Sequence, residues 1–167
     1  HRARGDVSGI EAEGDRFCWR VDSDLRVWRE ALSEGDVAKA LSLYRGPLLE
    51  GLDVGAPAEF AGCLEHEREQ LRARLVDAVV ARCDLLERTD SDAAAELALA
   101  LLNTDPLDER AVRCGLRSLA AAGRLDGARR LYATHARELS AEIGVEPDVE
   151  TRELHQRLTT APRASPG

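Results

Sequence analysis

Ala121-Ala122-Gly123-Arg124-Leu125-Asp126-Gly127-Ala128-Arg129-Arg130-Leu131-Tyr132 is the stretch that decides the fold. Ala128, Leu131 and Tyr132 fall at helical spacing, and Gly123 suits the end of a preceding helix. Ala94, Leu97 and Ala98 carry the same pattern 34 residues earlier. Gly35, Ala40, Leu43 and Tyr44 match Gly123, Ala128, Leu131 and Tyr132 once more. A small residue near Ala128 lets two helices approach, and the large residues after it fill the neighbouring groove. Thr89 departs from the pattern, standing where Gly123 stands in the later unit. A left-handed turn would strain a threonine, so a different turn geometry is expected there.

An interval of 34 residues is the period of tetratricopeptide arrays, in which paired antiparallel helices stack. The fold expected is all-α, a tetratricopeptide-like stack of antiparallel helical hairpins with a short N-terminal β-hairpin. Such a stack has a concave and a convex face, which usually take protein segments. Composition agrees, since Ala, Leu, Arg and Glu favour helix, and aromatics are only 4% of the 167 residues.

Outward from the repeat, Leu25, Trp28 and Leu32 mark a first helix, and Val37, Ala40, Leu41 and Tyr44 a second. A long helix follows, from about residue 57 to 88, with an apolar stripe of Leu71, Leu75, Ala78, Val79 and Leu86. Its earlier part, Glu65-His66-Glu67-Arg68-Glu69-Gln70, has no apolar residue. It reads as a solvated extension or a protein contact, supported by Glu65–Arg68 and Glu69–Arg72 pairs. Asp105 is expected to cap the next helix, with Pro106 in its first turn. Pro147-Asp148 opens the last helix, which carries Leu154 and Leu158. Before the helices, residues 5–21 have strand character around Glu13-Gly14-Asp15, which can turn. Residues 161–167 read as a frayed tail.

Tyr44-Arg45-Gly46-Pro47-Leu48-Leu49-Glu50-Gly51 interrupts the helices. Gly46-Pro47 stops the second helix. Leu48, Leu49 and Leu52 are expected to plug against neighbouring helices, with Leu48 and Leu49 mostly buried. This block occurs with Glu59-Phe60, Asp105-Pro106-Leu107-Asp108-Glu109, Ala121-Ala122-Gly123-Arg124 and Ile143-Gly144-Val145-Glu146-Pro147. In that combination the chain resembles the bacterial transcriptional activator domain of Streptomyces-type antibiotic regulatory proteins. The resemblance covers residue 22 to about residue 158. It implies a wing-like hairpin or lead-in at 1–21, the activator domain at 22–160 and a tail at 161–167. It further implies a cytoplasmic regulatory module that works through self-association, the transcription machinery or an adjacent domain. DNA would be bound by a separate winged helix, whose recognition helix is not among these residues.

The formal net charge is −8, from 23 basic and 31 acidic residues. Affinity for a phosphate backbone usually comes from a basic excess, so the charge argues against DNA binding by this chain's own surface. No apolar run reaches the length of a membrane span. Cys18, Cys63, Cys83 and Cys114 lack metal-site spacing and read as buried, reduced thiols. The four histidines add no cluster, and no catalytic motif is visible, so neither enzyme activity nor a cofactor or metal is expected.

One stripe stands out. Arg110, Arg113 and Arg117 lie at i, i+3 and i+7, on a helix that lines the concave face in tetratricopeptide arrays. Guanidinium planes suit carboxylates. The stripe is either a groove for an acidic partner segment or a solvated face balanced by nearby acids. A peptide- or effector-binding scaffold without a promoter role is the alternative function.

Overall fold

The computed structural model describes residues 23–52 and 55–160, and the backbone alone of residues 10–13 and 16–19. Strands β1 (Ile10–Glu13) and β2 (Arg16–Trp19) pair antiparallel, with Ile10 opposite Trp19. Gly14-Asp15, between them, and the tail at 161–167 lie outside the described residues.

From residue 23 the described chain is all-α. The helices are α1 (Asp24–Ser33), α2 (Val37–Leu43), α3 (Ala58–Leu86), α4 (Ser91–Leu102), α5 (Glu109–Ala121), α6 (Leu125–Glu142) and α7 (Val149–Thr160). Short polar side chains start most of them. Ser23, Asp36, Asp90 and Asp108 each accept a hydrogen bond from the backbone amide three residues on, satisfying a donor the helix itself cannot. The expected cap at Asp105 is therefore corrected to Asp108, and α5 begins at Glu109. Gly35, Gly123 and Gly144 sit in the left-handed region just beyond α1, α5 and α6. Thr89 is not in that region, so the α3–α4 turn does differ from the glycine-closed ones.

Two kinds of contact order the helices. Neighbours in sequence pack together from α1 to α7, and α5 also packs on α3 and α7, two elements away. Helices α3 and α4 run in opposite directions. The Cys83 thiol donates to the Ala94 carbonyl near their junction, whereas Arg72, far back along α3, reaches Asp105 beyond the end of α4. By contrast, α3 and α5 run the same way, because Asp77 meets Arg110 and Asp84 meets Arg117. Both of those pairs span 33 residues. The apolar core is continuous from Trp28 on α1 to Leu154 on α7. Alanines make the closest approaches: Ala31, Ala40, Ala94, Ala98, Ala111 and Ala128 have no exposed surface. Gly115 serves the same end on α5, where a Cβ would stand 2.8 Å from a Leu131 methyl.

Candidate functional site

The arginine stripe starts from the Asp108 cap, which sets the phase of α5. Arg110 and Arg117, two turns apart, reach back to α3. Arg110 Nη2 donates to Asp77 Oδ1 at 2.5 Å, and Arg117 Nη2 to Asp84 Oδ1 at 2.5 Å. Arg117 Nε also lies 3.4 Å from Glu87. Arg113, between them in sequence, turns to α7. Its Nη1 donates to Asp148 Oδ2 at 2.6 Å and to Thr151 Oγ1 at 3.1 Å, and Nη2 lies 3.5 Å from Glu150. Each arginine of the stripe thus has a carboxylate from a neighbouring helix or its cap. Exposed pairs of this sort contribute about 0–1 kcal/mol each. Their clearer effect is to set the register of α3, α5 and α7.

Asp148 is the busiest acid here. Its Oδ1 accepts from the Thr151 amide at 2.7 Å, and its own amide donates to Glu109 Oε1 at 2.8 Å. Partial desolvation works against its charge. The Thr151 amide and hydroxyl, together with Arg113, nevertheless hold its carboxyl below the usual range. Behind it, His135 is 1% exposed and its Nδ1 donates to the Pro106 carbonyl at 3.1 Å. His135 Nε2 lies 3.3 Å from Glu109 Oε2 without the alignment of a hydrogen bond. His135 is thus a packing histidine that ties α6 to the α4–α5 loop.

His155 stacks on Tyr132, with ring centroids 3.9 Å apart and planes 3° from parallel. Burial, with the Arg129 charge in support, pushes the His155 imidazole below its ordinary value. The unfolded chain therefore takes up this proton first as pH falls. The stability His155 contributes is full above about pH 6.5, the ordinary histidine value, and is lost as pH falls through the lower folded value. His155→Phe keeps a ring on Tyr132 and should flatten this part of the stability profile. Superimposable urea midpoints for wild type and variant from about pH 7 to about pH 5 would contradict the assignment.

The Tyr44–Gly51 block corrects one expectation. Tyr44 caps α2 in an extended conformation and is half-buried; burial first, then the Asp105 charge, raises its hydroxyl. Leu48 packs on the core. Leu49 does not: it is 49% exposed, and Leu52 is 57% exposed. The reason is Arg68. Its Nε donates to the Leu48 carbonyl at 2.8 Å and its Nη2 to the Leu49 carbonyl at 3.1 Å. Turning two successive carbonyls toward α3 leaves Leu49 with φ 51°, the one positive value at a non-glycine among the described residues. Such a conformation costs a branched residue about 1–2 kcal/mol. Leu49→Ala should therefore change stability by less than about 1 kcal/mol, and Leu49→Gly should leave it equal or slightly raised. A clear drop in melting temperature for Leu49→Gly would show that the side chain matters after all.

Beside this block, Leu25, Trp28, Leu43, Tyr44, Pro47 and Leu71 help line a cavity of about 280 Å³. Reading by sequence paired Arg68 with Glu65 and Arg72 with Glu69, as found, but missed their longer reach and the Glu109–His135 junction. Arg72 keeps the Glu69 partner expected of it and adds Asp105 at 2.6 Å and Asp108 at 2.9 Å. Cys83 and Cys114 are buried as expected, but Cys63 is exposed, because it lies on the outer side of the first half of α3. Among the described residues, no group of three or more His, Cys, Asp or Glu side chains is placed to hold a metal. No helix among them is long and apolar enough to cross a membrane.

A search of the curated proteins finds no match to this sequence. A family model, that of the bacterial transcriptional activator domain, matches residues 21–159 and so takes in α1 to α6, all but the last residue of α7, and the Tyr44–Gly51 block. The chain belongs to the bacterial transcriptional activator domain family.

Proposed function

We propose that this chain is the regulatory helical module of a bacterial transcriptional activator, acting in the cytoplasm through protein contacts while a separate winged helix binds DNA. The observation that carries the reading is the family match across the whole helical body. The net charge of −8 supports it, since an acidic surface is poorly suited to the phosphate backbone. Its partners are a second copy, the transcription machinery or a neighbouring domain, with no membrane role. Two ion pairs that each span 33 residues between parallel α3 and α5 support the tetratricopeptide-like reading of the stack. The β1–β2 pair supports a wing-like element at 1–21, ahead of the activator domain at 22–160 and a tail at 161–167. The test is removal of residues 22–160 from the full-length regulator. Promoter binding should persist and activation should be lost. Undiminished activation by the truncated regulator would overturn the proposal.

Arg110, Arg113 and Arg117 remain candidates for contact with an acidic partner segment, but only if partner carboxylates displace their own. A charge swap separates the roles. Asp84→Arg combined with Arg117→Asp restores the pair within the chain, and Glu87→Gln removes the second acid that an aspartate at 117 would face. If Arg117 serves register alone, the swapped regulator activates normally. Lost activation with an unchanged melting temperature would mark the arginine as a partner contact.

A further inference from the structure

Two buried thiols face each other across the α3–α5 contact. Cys83 and Cys114 are both free and both wholly without exposed surface. Helix register places them together. One turn further along, the Ser118 hydroxyl donates to Glu87 Oε1 at 3.1 Å. Stepping back four residues on each of these parallel helices reaches Cys114 and Cys83, so the same register sets the two thiols side by side, with the Cys83 thiol donating to the Ala94 carbonyl. The pair is flanked by the Asp84–Arg117 bridge, which holds the two helices at this level.

The charges around the two sulfurs differ: Arg117 follows Cys114 by one turn of α5, whereas Asp84 and Glu87 adjoin Cys83 along α3. The Cys83 thiol is the main influence lowering the Cys114 thiol, and the Arg117 charge and Ser118 hydroxyl act in the same direction against burial. Cys83, in turn, is pushed well up by Cys114 and by burial. A thiolate is the reactive form of cysteine, and a reactive thiol beside a second one is the usual arrangement for reversible oxidation.

We infer that Cys83 and Cys114 are a peroxide-oxidised modification site, at which a disulfide staples α3 to α5. The Cys114 thiolate attacks one oxygen of a hydroperoxide. The O–O bond breaks, and the departing oxygen takes a proton and leaves as water or an alcohol. Cys114 is then a sulfenic acid. The Cys83 sulfur attacks the Cys114 sulfur, the S–O bond breaks, and hydroxide leaves with the Cys83 proton as water. Two thiols and one hydroperoxide give a disulfide, one water or alcohol, and one water; the sulfurs lose two electrons and the peroxide gains them. Complete burial selects small oxidants, which enter by local opening of the helices. It equally slows reduction by bulky thiols.

The experiment uses the full chain bearing Cys18→Ser and Cys63→Ser, so that only this pair can react. The folded protein is treated with hydrogen peroxide, unfolded, alkylated and digested without reductant. The inference expects a peptide pair joined through Cys83 and Cys114 that separates on adding dithiothreitol, and a melting temperature raised by oxidation and restored by reduction. Recovery of both cysteines alkylated, or of Cys114 as sulfinic acid with Cys83 alkylated, would overturn it. Mapping the same peptides in the unsubstituted protein guards against any effect of the serines. A link from either cysteine to Cys63 there, in place of the Cys83–Cys114 link, would also overturn it.

Discussion

Leu116→Ala lowers the unfolding free energy by about 2–5 kcal/mol, the range for a buried leucine that leaves a cavity behind. Leu116 has no exposed surface and sits on α5, which packs on α3, α4, α6 and α7. Among the described residues no other helix packs closely on so many, so the void cannot be closed by moving one of them without disturbing the rest. Urea unfolding reads the effect as a lower midpoint at an unchanged slope. A loss below about 1 kcal/mol would mean that the α5 contacts collapse around the void more readily than the packing implies.

Asp108→Ala should cost about 1–3 kcal/mol. Loss of an N-cap typically accounts for about 1 kcal/mol, and the bond to a charged partner adds to it. Asp108 Oδ1 accepts from the Ala111 amide at 2.9 Å, while Oδ2 accepts from Arg72 at 2.9 Å. Its side chain is 9% exposed, against 36% for Arg72, which also keeps Glu69 and Asp105. Solvent screening of the arginine places the charge pair toward the low end. Asp108→Asn separates the parts, because Asn still caps. It should recover most of the loss, and an Asn variant as unstable as the Ala variant would make the ion pair the main contribution.

The same acid shows where local pattern gives out. Asp105-Pro106-Leu107-Asp108-Glu109 contains two possible caps, and Pro106 favours the first by local rules. In the folded chain Asp105 is held by Arg72 and the Pro106 carbonyl by His135, both distant in sequence, so the helix starts later. Leu49 is a similar case. Its apolar side chain suggested burial, but the backbone follows Arg68, and nothing nearby in sequence marks that arginine as a clamp. The arginine stripe was legible in its spacing and not in its partners. A signal did exist: Asp77 and Asp84 stand seven apart, as Arg110 and Arg117 do, and the sets are offset by 33 residues. The 34-residue interval of the alanines and leucines misses this offset by one, aligning Asp77 with Ala111 and Asp84 with Ser118, so only a separate search among the charges would have paired them. The helices themselves were legible because their starts, their glycine ends and their apolar stripes all agree.

We propose that this domain works through protein contacts and leaves DNA to another part of the regulator. Binding of the isolated chain to a labelled promoter fragment and to a scrambled fragment, titrated across salt, tests it most directly. No difference between the two DNAs is expected at physiological salt, with any residual binding removed as salt rises. Sequence-selective binding by this chain at physiological salt would contradict it.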